Sequence, residues 1–419
     1  MTAHTEPDAW QSQAGVREAR PLPIHGGAFN ADPHATYQQL RSQGPIAPVE
    51  ISPGVYGYLA VTYRAALYLL QNTPARFSKD PRRWEALRSG RLPAGSPAVM
   101  MMQPRDNALW KDGPEHARLR RAITTSLARV DTHSLAASVG RIADQLISGF
   151  AADGQADLVS QYADPLPMLT MIEMFGCPPA LGQRIVVAVA RLFDTDSDAA
   201  QANAELEAAC LELAHLKRLR PGRDVTTHLI AAGLTDAEMI QTILLLIGAG
   251  STPSSNLITN ALRLIITDTR FAGTVHTGVK PLADALDEVL WHMPPVSNYS
   301  PLYTIGEQSY EGVHLQPGFP VLVSFAAANG DPSLPFTAGV RAGNRGHLAF
   351  SAGVHACPAP DLARIISETA LERAVDRLTG LVLAVDPREL TARPATFHAG
   401  LTALPVRFQP DSPIHTNRR

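Results

Sequence analysis

Residues 347–366 read HLAFSAGVHACPAPDLARII, and the place of Cys357 within them decides how the rest of the chain is read. The cysteine closes a run of small residues and stands just before a segment with helical character, Pro360 to about Leu378. A sulfur at a helix N-terminus meets unpaired backbone N–H groups and the positive end of the dipole, and both favour the thiolate. An axial iron ligand needs that environment. A lone cysteine is more often an inert core residue, so its neighbours have to decide. The other two cysteines, Cys177 and Cys210, form no CxxC pair with it and no disulfide framework.

The neighbours are specific. Phe350 lies seven residues before Cys357, Gly353 four before and His355 two before, and Leu362, Ala363 and Arg364 follow. This resembles the cysteine-ligand signature of cytochrome P450s, F-G-x-G-x-H/R-x-C-x-G-x-x-L-A, with Ser351 and Ala359 in place of two glycines. The resemblance runs from DPHATYQQLRSQGP (residues 32–45) through RFS (76–78) to GLTALPVRF (400–408). It implies a mainly α P450 fold, an α-rich body with a small β-sheet region, and haem b between the central helix and the cysteine helix. In it Cys357 is the axial iron ligand, Phe350 packs against the sulfur, His355 donates to a haem propionate, and Ala249 and Ala359 border the cofactor. In DGPEHARLRRA (112–122), His116 and Arg120 stand four apart, on one helical face, where both can reach one anion. Such a basic pair is ordinarily just solvated; here it looks like the family's HxxxR, which binds the propionates.

Three departures from the family pattern carry physical consequences. Family backbone amides of the three residues after the cysteine point at the sulfur, but here these are Pro358, Ala359 and Pro360, and proline has no N–H. At most one donor survives, which predicts a more electron-rich sulfur and a lower iron reduction potential. The family's E-x-x-R reads Glu288-Val-Leu-Trp291, so the arginine that would pair with Glu288 is missing. Stranding a buried charge costs roughly 3–5 kcal/mol, so Glu288 is expected to be rewired or protonated, with Arg341 the candidate partner. Finally, residues 295–312 (PVSNYSPLYTIGEQSYEG) contain no Arg, Lys or His, although the family usually places a propionate-binding arginine there. Haem anchoring is then left to His116, Arg120, His355 and apolar burial.

Residues 239–266 (MIQTILLLIGAGSTPSSNLITNALRLII) are apolar almost all round, which predicts a helix buried at the centre, bent near Gly248, Gly250 and Pro253. P450s usually carry [A/G]-G-x-[D/E]-T there, the acid and alcohol delivering protons. In this chain Ala249, Gly250 and Ser251 are followed by Thr252 at the acid position and Pro253 at the alcohol position; sliding by one makes Ser251 and Thr252 the pair. Hydroxyls of Ser251, Thr252 and Ser254 either order a water relay or bond backbone carbonyls, and the sequence leaves both open. The resemblance also implies pocket walls at Met101 with Met100 and Met102, at Leu245, from Gly248 to Thr252, from Val296 to Asn298, and at Phe397 and His398. The alternative for each is simple core, and for the methionines, which are adaptable gap-fillers, the two readings are equal. His398 could orient a substrate or supply a proton.

The 419 residues are 45% hydrophobic and 18% charged, a globular composition, and the net charge of −3 points away from nucleic acid. The polar, Pro/Gly-punctuated start holds no apolar run suited to a signal peptide or membrane helix, so a cytoplasmic protein with no membrane association is expected. The pattern predicts a flexible tail over 1–25, one domain over 26–410 and a second tail over 411–419. Three functions follow from the resemblance. One is a monooxygenase taking electrons from NAD(P)H through ferredoxin reductase and ferredoxin, and oxidising a small apolar or natural-product molecule. Another is a P450 for aryl coupling or peroxide-driven oxidation. The third is a haem-binding relative with little turnover.

Overall fold

In the computed structural model, residues 20–192, 199–271, 282–335 and 343–410 are described. Leu22–Pro23 pairs in parallel with the strand Ile46–Ser52, and Ile24 is wholly buried. The expected flexible tail therefore gives way to sheet structure at Leu22, because this short apolar run covers an otherwise open edge. Pro33–Gln43 is a helix whose N-cap, Asp32, accepts from the Ala35 amide at 3.0 Å. Strands Ile46–Ser52 and Val55–Ala60 form an antiparallel hairpin, and the latter runs parallel to Pro320–Ser324. Asn298–Thr304 and then Phe77–Ser78 complete a six-stranded sheet. The sequence before Phe77 reads as a helix ending near that residue, but the helix Tyr63–Gln71 stops six residues earlier. Phe77–Ser78 is instead an edge strand on Tyr303 and Thr304, a distant pairing that the local pattern did not reveal.

The rest is mainly helical, as the resemblance implied. The central helix, Asp236–Thr267, is a single element of 32 residues. A capping box starts it: Thr235 Oγ1 accepts from the Glu238 amide at 3.3 Å, and Glu238 accepts from the Thr235 amide at 3.0 Å. It packs on the helices Pro165–Met174, Ala199–Leu219, Leu282–His292 and Pro360–Arg377, which explains its apolar circumference. The stretch 81–110, rich in Pro, Gly, Arg and Met, reads as a loop but holds short helices, among them Pro97–Met102.

Helix Leu282–His292 resolves the missing arginine. Glu288 is rewired, as one of the two alternatives had it: its carboxylate pairs with Arg270 at 3.0 Å and lies 3.5 Å from His292 Nε2. Arg341, the candidate partner, falls outside the described residues. Trp291 is fully buried; its indole N–H donates to the Asn344 carbonyl at 2.8 Å, and its ring meets His347 edge-on. The buried ion pair of this region is one that the sequence reading did not single out. Asp287 accepts from Arg364 of the cysteine helix at 2.6 Å and from the Gly343 amide at 3.0 Å.

Candidate active site

The cysteine loop is closed by its own backbone. The Cys357 amide donates to the Phe350 carbonyl at 2.8 Å and the Ser351 amide to the Leu348 carbonyl at 2.7 Å. Gly353 has φ +71, and a Cβ there would lie 2.3 Å from the Leu70 carbonyl oxygen, so only glycine fits. Ser351 also takes a left-handed conformation, φ +63, although it carries a side chain. The Ala359 amide points at Cys357 Sγ, 3.4 Å away, and is the one donor that the flanking prolines leave. Burial pushes the thiol up, while this amide and Arg120 pull it down. Pro360 opens the helix Pro360–Arg377 at its first turn, where a missing N–H leaves no helical bond unmade.

One edge of the loop collects basic groups. His116 and Arg120 lie on the helix Gly113–Leu127, as the spacing predicts, and the Arg120 guanidinium donates to the Ala356 carbonyl. The His116 and His355 rings stack with centroids 3.9 Å apart. Burial lowers both imidazoles, His355 to about 4. Asp112, just ahead of the helix, accepts from Ser78 Oγ at 2.5 Å and from the Lys79 amide at 3.0 Å. Burial would raise its carboxyl, but His355, the Ser78 hydroxyl and the Lys79 amide outweigh that and hold it low. Its Oδ1 is 3.7 Å from His355 Nε2, too far for a hydrogen bond, and that nitrogen has no other partner. Lys79, which sequence reading passed over, is buried in the same group and donates to Ser300 Oγ at 2.6 Å. The only hint was a lysine directly after RFS, residues 76–78.

The central helix divides its hydroxyls between two faces. Gly248 and Ala249 are exposed, Leu245 and Thr252 at three- and four-residue spacing from them are partly exposed on the same face, and nothing lies within 4 Å of a Cβ placed on Gly248. Ser251 and Ser254 are buried, and Ser251 Oγ donates back to the Ile247 carbonyl at 2.6 Å, beside Met168. Of the three hydroxyls expected at the reaction centre only Thr252 stands on the accessible face; the others are turned away by the 100° step between neighbours. Gly250 serves packing, since a Cβ there would meet Met171 Cε at 2.9 Å. Pro253 lies inside the helix and cannot donate to the Ala249 carbonyl, one turn back on the accessible face.

The expected pocket walls separate likewise. Met101 is partly buried, its carbonyl accepting from Tyr299 Oη at 2.9 Å, and Val296 pairs with His398 through an isolated antiparallel bridge. The loop behind them is tied to the central helix by Asn260 Nδ2, which donates to the Ala399 carbonyl at 3.0 Å. Asn298 is not a wall: it is fully buried, accepts from Tyr37 Oη at 3.0 Å and donates to the Thr396 carbonyl at 2.8 Å. Phe397 is also core, set edge-on to Tyr299. Burial lowers His398 to about 4, so at neutral pH it is an uncharged imidazole, suited to orienting a substrate and not to acting as a cationic acid.

These residues fit a thiolate-ligated, anionic macrocycle. Arg120 has no carboxylate partner among the described residues, Lys79 shares Asp112 with the two histidines, and a partly buried guanidinium and ammonium beside two uncharged imidazole donors call for anions such as propionates. Among the described residues no group of three or more His, Cys, Asp or Glu could hold a metal ion, so an iron on Cys357 would need a cofactor's further ligands. No described helix is long and apolar enough to cross a membrane.

No family model matches the chain. It is 30% identical over 415 residues to the cytochrome P450 monooxygenase PikC of Streptomyces venezuelae, covering 95% of this chain and 97% of that one. It is 29% identical to a 2-hydroxy-5-methyl-1-naphthoate 7-hydroxylase of Streptomyces carzinostaticus, over 90% of this chain and 96% of the relative. Among solved structures, CYP154C4 from Streptomyces sp. ATCC 11861 superposes with a TM-score of 0.83 at 28% identity, covering 93% and 98% of the two chains.

Proposed function

The chain belongs to the cytochrome P450 family, a monooxygenase-type oxidoreductase, and from that premise we propose that Cys357 would supply the thiolate ligand of a haem b in an enzyme that oxidises a small natural-product molecule. The Cys357 loop carries this reading, because it sets a sulfur beside an edge of basic residues at the start of a buried helix. Relatives named for a naphthoate and for polyketide biosynthesis support a substrate of that class. Electrons come from NAD(P)H through a ferredoxin reductase and a ferredoxin, in a cytoplasmic enzyme built as one domain.

Haem, when bound, supplies dioxygen binding and O–O cleavage, which thiolate donation favours. His116, Arg120 and His355 hold its propionates, and Phe350, Ala249 and Ala359 border it. Met101, Leu245, Gly248, Val296 and His398 line the substrate side, where the neutral His398 imidazole orients a polar group. Thr252 Oγ1 and the Ala249 carbonyl, which lacks its helical N–H partner, hold a water between them and pass protons through it.

A second reading rests on one specific observation. With Thr252 and Pro253 at the acid and alcohol positions, and Ser251 turned away, proton delivery is thin, which favours aryl coupling or peroxide-driven oxidation. The test is spectral and kinetic. Wild-type protein reconstituted with haem should give a thiolate-type ferrous carbonyl spectrum, and Cys357→His should lose it; its absence in wild type removes the proposal. NAD(P)H-coupled turnover with ferredoxin partners identifies the monooxygenase, whereas turnover with peroxide alone selects the second reading.

A further inference from the structure

Lys79 is a lysine that no ordinary structural role accounts for. It follows the edge strand Phe77–Ser78, is 1% exposed, and reaches across to Ser300 of the neighbouring strand Asn298–Thr304. An ammonium carries three donors, and among the described residues this one makes a single hydrogen bond, to Ser300 Oγ at 2.6 Å. The nearby carboxylate, Asp112, already receives the Ser78 hydroxyl and the Lys79 backbone amide. Ser300 itself holds φ +56, a conformation L side chains rarely adopt, at the point where the lysine arrives. The field of Lys79 is felt at both His116 and His355, so it belongs to the same edge of the site. Burial pushes the amine down to about 7, the mark of a cation short of an anion. The strand it touches lies in residues 295–312, which carry no basic residue at all.

We propose that Lys79 binds a haem propionate, bringing from the edge strand the positive charge that residues 295–312 lack. This rests on the haem-thiolate reading above. A charged hydrogen bond of this kind slows escape of the cofactor and adds nothing to a protein without it.

The test compares ferric holoprotein of wild type, Lys79→Met and Lys79→Arg by transfer of haem to excess apomyoglobin, and repeats it with haem whose propionates are esterified. Lys79→Met should lose haem about 10-fold faster or more, and Lys79→Arg should stay within about 3-fold of wild type. Esterification should accelerate loss in wild type far more than in Lys79→Met, since the variant has already lost the contact. The urea midpoint of the Lys79→Met apoprotein should equal or exceed that of wild type. Equal transfer rates, an undiminished ester effect in the variant, or equal weakening of apo- and holoprotein would each overturn the proposal. Failure of the underlying reading looks different: wild type itself would show no thiolate-type carbonyl spectrum.

Discussion

At the level of single residues, the cysteine loop combines a conformational cost with an electronic one. Ser351 occupies a left-handed conformation and its hydroxyl is buried without a hydrogen-bond partner, so Ser351→Gly should stabilise the protein by about 1 kcal/mol, read as a higher urea midpoint. An unchanged or lower midpoint would show that the loop tolerates the strain. Cys357 Sγ accepts from Ala359 alone because Pro358 and Pro360 lack N–H groups. Pro360→Ala, which adds a donor at a position where helical geometry already holds, should raise the iron reduction potential in spectroelectrochemistry. A fall would mean that the sulfur does not sense this turn. That His116, Arg120 and His355 gather at the Cys357 loop was legible because fixed spacing carries them. For Ser251 the alternative of bonding a backbone carbonyl describes the structure, and Ser251 and Ser254 are both buried, because neighbours on a helix point to different faces and only packing tells which face is open.

At the level of elements, the joint between the helices Leu282–His292 and Pro360–Arg377 is the buried pair Asp287–Arg364, both side chains under a tenth exposed. Removing Asp287 leaves the buried Arg364 only the more distant Glu368, 3.5 Å away, so Asp287→Asn should destabilise by about 3 kcal/mol, while Asp287→Asn combined with Arg364→Met should recover part of that. Denaturation of the single and double variants decides it; additive losses would show that the two side chains do not act as a pair. The sequence reading looked one residue further on, at Glu288, because the family motif centres there. The pairing of Phe77–Ser78 with Tyr303 and Thr304 was likewise out of reach, since strands so far apart in the chain leave no local period. Lys79 went unnoticed for that reason: its meaning depends on which strand it faces. The central helix, by contrast, announced itself through an apolar circumference of 28 residues, and its observed span extends that stretch by only a few.

At the level of the whole molecule, buried uncharged imidazoles make the fold sensitive to acid. His347 sits between Trp291 and Phe350 with neither ring nitrogen hydrogen-bonded, and burial lowers it to about 4; His398, bridged to Val296, is lowered to about 4 as well. An unfolded histidine titrates near 6.5, so between about 4 and 6.5 the unfolded chain binds more protons than the folded one. Stability is therefore complete above about pH 6.5 and is lost as the pH falls toward 4, each imidazole contributing up to about 3 kcal/mol of that loss. His347→Phe keeps the apolar contacts and removes the titrating group. Its urea midpoint should fall less than that of wild type between pH 7 and pH 4.5, and parallel curves for the two proteins would show that the acid sensitivity arises elsewhere.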